Sequence, residues 1–376
     1  MTMGGLLDGV GRIAVLRANA LGDLMFALPA LDALRAAYPS AEIVLLGGPL
    51  HAELLTGRPG PVDGVAILPP IEGLRPPSPG EESVPVEDFL ANARTAPFDL
   101  AVQIHGGGRT SNRIATALGA RVTAGLRAPG SPPLDRWIPY VYYQAEIARY
   151  LEVVGLVGAT PVTVQPTLAV TAADVAEARR VAGPPSRRRV VIHPGATDPR
   201  RRWSAERFGH VARELLSQGY EVVVTGTTDE RAVVARVAEA DRRIRTLVGE
   251  LSLGGLVGLL AGAAVAVAND TGPLHVAAAV GTPSVGIYWV GNVINSAPPY
   301  RARHRPIPSW RVHCPVCGAD CTRDLYPARP GDGCVHSDSF VDDIPPEEVL
   351  QAVYDLTDPR RAASGPMAGQ RAGIGY

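Results

Sequence analysis

Residues 12–39 read RIAVLRANALGDLMFALPALDALRAAYP. The opening five, Arg12–Leu16, form a short apolar run of the kind found in a strand buried on both faces. After the turn Arg17-Ala18-Asn19-Ala20, Leu24, Leu28, Leu31 and Leu34 recur at helical spacing until Tyr38-Pro39 ends the pattern. A strand that feeds a helix through a tight turn is half of a βαβ unit. Strand-like runs at 42–46, 64–68 and 100–104 repeat the alternation, and a long helical pattern spans 140–157. This predicts a parallel sheet covered by helices.

A second series starts further on. Apolar runs at 189–192, 221–225, 264–268 and 284–287 alternate with helical patterns at 205–217, 230–239, 252–261 and 274–280. The stretch Gly183-Pro184-Pro185-Ser186-Arg187 between the two series is turn-rich and polar. The expectation is therefore α/β, with two Rossmann-like, doubly wound domains in tandem. The first covers 1–165, a linker region covers 166–186, and the second covers 187–345. A final helix follows at 346–357, and residues 358–376 read as a disordered tail. The Pro-rich stretch 69–85 reads as a loop or flap.

Composition narrows the function classes. Of 376 residues, 46% are hydrophobic and 19% charged, enough for large cores and incompatible with disorder of the whole chain. A net charge of -1 provides no global field for nucleic acid. All 36 basic residues are Arg, which excludes a Schiff-base lysine and leaves anions to Arg, His, hydroxyls and backbone N–H groups. No basic residue precedes an apolar run in residues 1–10, so no signal peptide is expected. The apolar run 253–268 contains four Gly and leads into Asn269-Asp270, reading as a buried helix and strand rather than a membrane span. A cytoplasmic protein with at most peripheral membrane contact is expected.

Three strand–helix junctions can carry chemistry, because ligands of doubly wound sheets bind outside the carboxyl ends of the strands. The first is Arg17 to Asp23. It lacks the G-x-G-x-x-G glycines of a dinucleotide site, and Asp23 reads either as a helix cap or as a ligand-facing carboxylate. The second is His193-Pro194-Gly195-Ala196-Thr197, followed by Arg200, Arg201 and Arg202. Small residues and a hydroxyl suit a phosphate cradle with three cations in reach; the alternative is a solvated charge run. The third is Asn269-Asp270-Thr271-Gly272-Pro273-Leu274-His275. Here Thr271 and the Gly272 N–H stand at a positive helix end, Pro273 suits the first turn, and His275 lies one turn in, facing the ligand or the surface. Cys314, Cys317, Cys321 and Cys334 crowd into one stretch beside His313 and His336. They read as a structural zinc site, as disulfides or as free thiols.

Together these blocks resemble glycosyltransferase family 9, the ADP-heptose:lipopolysaccharide heptosyltransferase-like family. Residues 12–39 are similar to its opening block. The stretch VVIHPGATDPRRRWSAERFGHVARELLSQGYEVVVTGTTDE is similar to its nucleotide-sugar block, and LVGELSLGGLVGLLAGAAVAVANDTGPLHVAAAVGTPSVGIYW to its D-T-G-x-x-H block. The resemblance implies a GT-B architecture, two Rossmann-like domains facing across a cleft. It implies inverting transfer of a heptose-like sugar from an ADP-activated nucleotide-sugar donor to an acceptor hydroxyl. By position, Asp23 resembles the general base, Thr197 the phosphate-contacting hydroxyl, and Asp270, Thr271, Gly272 and His275 the donor cluster, beside Gly195 and Ala196. Arg201 stands where the family commonly has Lys, and the donor-side acid is Asp229 or Glu230. On the acceptor side the candidates are Arg17, Asn19, His105 and Arg109; the segment Gln103–Arg113 and the stretch 69–85 are expected to shape a site for a glycan or small molecule. No Asp-x-Asp pair stands at a strand end, so transfer is expected to need no metal or other cofactor. Two alternatives share the pattern: a GT-B protein using another NDP-sugar, as transferase or epimerase, and a sugar-nucleotide-binding protein without turnover.

Overall fold

Each half of the chain folds around its own parallel sheet. The computed structural model describes residues 4–78, 80–81, 84–322 and 334–357. The first half holds strands β1 (Arg12–Leu16), β2 (Glu42–Gly47), β3 (Gly64–Ile67), β4 (Leu100–Gln103), β5 (Val122–Arg127) and β6 (Arg136–Pro139). Its helices are α1 (Leu21–Ala37), α2 (Pro49–Leu55), α3 (Val86–Thr95), α4 (Ser111–Ala117) and α5 (Glu146–Gly155). The second half has α6 (Ala172–Ala182), β7 (Arg189–His193), α7 (Ala205–Ser217), β8 (Glu221–Gly226), α8 (Arg231–Ala238), β9 (Arg245–Val248) and α9 (Leu253–Ala261). It continues with β10 (Val265–Asn269), α10 (Gly272–Ala279), β11 (Ser284–Trp289), α11 (Val290–Ser296), β12 (His304–Ser309) and α12 (Pro346–Thr357).

The sheet orders are β3-β2-β1-β4-β5-β6 and β12-β11-β10-β7-β8-β9. Numbered within its own half, each reads 3-2-1-4-5-6, the doubly wound order, and each reverses direction between its first and fourth strands. Val15 lies between Leu45 and Val102, and Val191 between Val223 and Ala266, so the strands at both reversal points are apolar at their centres. The turns after β1 and β4, and those after β7 and β10, therefore open at two facing crevices. This is the GT-B arrangement expected from the sequence.

Helix α1 joins the halves. Eleven of its 17 residues are buried, leaving almost no polar face, because it packs on α5 of its own half and on α10 of the other. A Cβ at Gly22 would stand 2.8 Å from the His275 ring, and one at Gly272 would stand 3.0 Å from the Leu21 Cβ. Two glycines thus let the N-termini of α1 and α10 touch. On the far side, Arg58 at the end of α2 reaches Asp174 of α6 at 2.6 Å, with both side chains buried.

Some expectations change. The pattern over 140–157 condenses to α5, because Pro139 ends edge strand β6 and residues 140–145 form a loop whose Tyr142 carbonyl accepts from Asn295 at 2.7 Å. The stretch 166–186 holds α6, set by a capping box in which Asp174 N–H donates to Thr171 and the Asp174 carboxylate accepts the Thr171 N–H. The run 253–268 splits into α9 and β10 as expected. Among the described residues no helix is long and apolar enough to cross a membrane. The tail and part of the 69–85 stretch lie outside the described residues.

Candidate active site

The crevice at the first reversal point is a cavity of about 420 Å³. It is lined by Arg17, Asn19 and Asp23 after β1, by residues 105–111 after β4, and by Tyr140, Glu146 and Arg149 from the other side. Asp23 is not the cap of α1. That position belongs to Ala20, and Asp23 sits three residues in, where its Oδ2 accepts the Ala20 N–H at 3.2 Å. Its Oδ1 accepts from the Arg17 guanidinium at 2.5 Å. Arg17 is buried, donates to the Ile104 carbonyl at 3.0 Å, lies 3.9 Å from Glu146 and stacks over the Tyr150 ring. The carboxylate is thus fixed in the first turn of α1, three residues past the cap, and lines the cavity.

All four acceptor-side candidates, Arg17, Asn19, His105 and Arg109, line this cavity. His105 accepts the Ala18 N–H through Nδ1 at 3.2 Å. Burial, with Arg17 and His51 alongside, pushes its imidazole down to about 3, so it is a neutral, poorly basic group. Sequence reasoning missed Glu146 and Arg149. These form an ion pair one turn apart on α5, and Glu146 also accepts from Tyr150. The available signal was two charges at i, i+3 in a helix otherwise rich in Val, Leu and Ile.

The second crevice is a cavity of about 440 Å³. Thr197, Glu230, Thr271 and Gly272 line it, together with His193 at the end of β7. Thr225, Thr227 and Thr228, which the sequence did not single out, line it too. Leu247, Leu251, Leu253, Leu256 and Pro273 make one apolar wall. Ala20 and Leu21 of the first half close it. Residues 19–23 are therefore shared: Asn19 and Asp23 face one cavity, Ala20 and Leu21 the other.

Of the two acids after β8, Glu230 rather than Asp229 lines the cavity. Burial works against its ionisation, but His193 and the Thr227 N–H hold its carboxyl down to about 2. A Cβ on Gly195 would stand 1.8 Å from Glu230 Oε1, so this close approach requires glycine. Asp270 is buried behind the cavity, accepting from His275 at 3.0 Å, Asn292 at 2.9 Å and Ser296 at 3.0 Å. Burial alone would raise its carboxyl, but His275 above all, with Arg201 and Asn292, holds it below the usual range. His275 packs edge-on against Phe26 of α1, so it is a buried connector between the halves, neither a surface residue nor one lining the cavity.

The three arginines of the 193–203 block differ in employment. Arg200 is paired with Asp198 at 2.7 Å, and Arg202 donates to the Ala196 carbonyl at 2.7 Å. Arg201 lies 3.5 Å from Asp270, a looser pairing, and stays partly exposed. Two of the three arginines expected near a phosphate are thus held by partners inside their own loop, and Arg201 has the looser one. Gly195, Ala196, Arg201, Asp270 and His275 frame the second cavity without lining it.

The cysteine stretch forms a separate knuckle. Cys314, Cys317 and Cys334 gather with His336, their four donor atoms all within 4.8 Å of one another, while Cys321 falls outside this set and faces the Ala319 carbonyl. Expecting four cysteines followed from spacing alone; folding brings His336 in instead.

Comparison with known proteins shows the family and the fold. The profile of glycosyltransferase family 9 (heptosyltransferase) matches residues 94–322, a span that includes most of the second cavity and not Asp23. Lipopolysaccharide heptosyltransferase 2 of Salmonella typhimurium is 30% identical over 169 residues, 43% of this chain and 45% of the relative. The chain thus spans less than half the length of that curated relative. A family 9 glycosyl transferase from Veillonella parvula superposes with a TM-score of 0.73 at 20% identity, covering 95% of this chain and 99% of the other. The ADP-heptose lipopolysaccharide heptosyltransferase II of Escherichia coli gives 0.69 at 21%, covering 93% and 99%. At these identities the two structures establish the fold.

Proposed function

From the premise that the chain belongs to glycosyltransferase family 9 (heptosyltransferase), we propose that it is an inverting glycosyltransferase moving a heptose-like sugar from an ADP-activated donor to an acceptor hydroxyl. The observation that carries this reading is the shared turn 19–23, which lines a polar cavity on one side and a phosphate-ready cavity on the other.

The donor occupies the second cavity. Its adenine lies against the leucine wall, and its diphosphate meets Thr197, Thr271 and the Gly272 N–H at the positive end of α10. Arg201 supplies the charge that stabilises the departing phosphate. The acceptor, a glycan or small molecule, occupies the first cavity with its hydroxyl toward Asp23. In the transfer the acceptor oxygen forms a bond to the anomeric carbon from the face opposite the diphosphate. The bond from that carbon to the phosphate oxygen breaks, its electrons leave with ADP, and the acceptor's proton passes to Asp23. His105 is a weak rival for the base, since its Nδ1 is engaged and its imidazole titrates near 3.

The transfer needs no metal in this reading. No Asp-x-Asp pair ends a strand, and among the described residues the cluster of metal-competent groups lies at the cysteine knuckle, outside both cavities. Any ion there is structural. The absence of a spanning helix among the described residues fits a cytoplasmic enzyme with at most peripheral membrane contact.

A thermal-shift comparison of ADP-heptose with GDP-, UDP- and dTDP-sugars tests the assignment. ADP-heptose should raise Tm most at equal concentration. A larger shift from another nucleotide, or none from any, would overturn the donor assignment.

A further inference from the structure

We propose that Cys314, Cys317, Cys334 and His336 bind one tetrahedral divalent ion of the zinc or iron(II) type, and that this ion is a positioning clip for the loop carrying Arg201. Donor binding then depends on an ion that takes no part in the chemistry. The inference rests on the reading of the second cavity as the donor site.

The local geometry is that of a metal knuckle. In the turn after Cys314, the Gly318 N–H donates to the Cys314 carbonyl at 3.0 Å, with Gly318 at φ +72, a left-handed conformation that favours glycine. The Val316 N–H points at the Cys314 sulfur at 3.4 Å. Cys317 Sγ lies 3.7 Å from Cys334 Sγ, and Cys334 Sγ lies 3.4 Å from His336 Nδ1. A tetrahedral ion bound to thiolates at about 2.3 Å has sulfur–sulfur edges of about 3.8 Å, whereas a disulfide needs about 2.05 Å. Three thiolates and one imidazole form a closed set with no open position, as in structural sites.

The segment just beyond His336 gives the clip its purpose. Residues 339–344 hold the loop 200–204 almost residue by residue. The Phe340 N–H donates to the Arg200 carbonyl at 2.8 Å, and the Ser339 hydroxyl to the Arg202 carbonyl at 2.6 Å. The Trp203 indole donates to the Ile344 carbonyl at 3.0 Å, and the Ser204 N–H to Asp342 at 3.1 Å. Arg201 is the residue left out, and its side chain turns to Asp270. The other end of the knuckle reaches the first half of the chain, where the Tyr143 hydroxyl donates to the Thr322 carbonyl. An ion tying Cys314 and Cys317 to Cys334 and His336 therefore fixes a strut with the Arg201 loop on one side and the acceptor half on the other.

The test uses the full chain purified without oxidant. Elemental analysis should find close to one equivalent of zinc or iron per chain. Chelation should weaken ADP binding, measured by calorimetry, by about tenfold or more, the effect of misplacing one charged hydrogen bond. Zn²⁺ should restore it and Mg²⁺ should not. Ser339→Ala keeps the ligands, so it should retain the ion and the fold yet weaken ADP binding several-fold; it carries the test if the stripped chain unfolds. A metal-free chain with a Cys317–Cys334 disulfide by mass spectrometry would overturn the site. Full metal content with unchanged ADP affinity in Ser339→Ala would overturn the clip. Failure of the intact chain to bind ADP at all, with its metal in place, would instead overturn the donor assignment.

Discussion

Arg17 and Asp23 stand six residues apart and 2.5 Å from each other, with the guanidinium buried and the carboxylate at the cavity edge. The pair spans the turn between β1 and α1, so the cation that fixes the proposed base is part of the fold's interior. Arg17→Met removes that cation and leaves Asp23 and Glu146 without it. Because Asp23 is part-exposed, the loss is that of a hydrogen bond to a charged group, about 1.5–3 kcal/mol. Denaturant titration should register a loss of that order, while ADP affinity stays within about twofold because Arg17 does not line the donor cavity. A variant as stable as the parent would mean that the Arg17 guanidinium does not make these contacts in solution.

Gly195→Ala tests the donor cavity by sterics alone. The new methyl would overlap Glu230 and force its carboxylate away from the Thr227 N–H. ADP affinity should fall by about tenfold, the cost of one charged hydrogen bond. Calorimetry on this variant beside Gly60→Ala, which adds a methyl in open space at an exposed bend, checks it. Equal affinities would remove Glu230 from the donor site.

Acid should destabilise the protein well before its carboxylates titrate. Burial pushes His105 and His304 down to about 3 and His51 to about 4, so all three fold neutral. Below about 6.5 the unfolded chain takes up protons that the folded chain refuses, so stability present above that value falls as the pH drops toward 3. His304→Gln, at a residue that lines neither cavity, should flatten the slope of stability against pH by up to about 1.4 kcal/mol per unit between about pH 6 and pH 4, to order of magnitude. An unchanged slope would show that His304 titrates normally.

The fold was legible because β1, β7 and β10 are unbroken apolar runs, and a doubly wound order then places their following turns at the crevices. That is why Asp23, Thr197 and Thr271 could be placed at the crevices without coordinates. Three of the four edge strands, β6, β9 and β12, were not legible: β12 reads HRPIPS, and its two prolines are tolerated at a sheet margin that the sequence cannot announce. Arg200, Arg201 and Arg202 look alike in one dimension, and only their partners tell the structural two from the available one. Glu146 and Arg149 resemble a solvent-facing pair until packing buries them. His336 stands in the metal-competent group where spacing had offered Cys321.

Added Mg²⁺ should neither be required for nor accelerate transfer, because Arg201 and the α10 N-terminus supply the positive charge. Initial rates with and without Mg²⁺, measured on protein still holding its knuckle ion, decide this. Strict dependence on Mg²⁺ would mean that the leaving group is metal-bridged.

The central claim is that Asp23 takes the acceptor's proton while the donor sits across the turn. Asp23→Asn keeps the shape and an acceptor for Arg17 but removes the charge, so stability should drop by about 1 kcal/mol, the difference between a charged and a neutral hydrogen bond. The decisive measurement is transfer from ADP-heptose by this variant and the parent, with donor affinity determined on the same samples. Unchanged or slightly tighter donor binding, with transfer reduced at least about a hundredfold, is the expected result. Transfer at the parental rate, or a loss explained wholly by weaker donor binding, would contradict it.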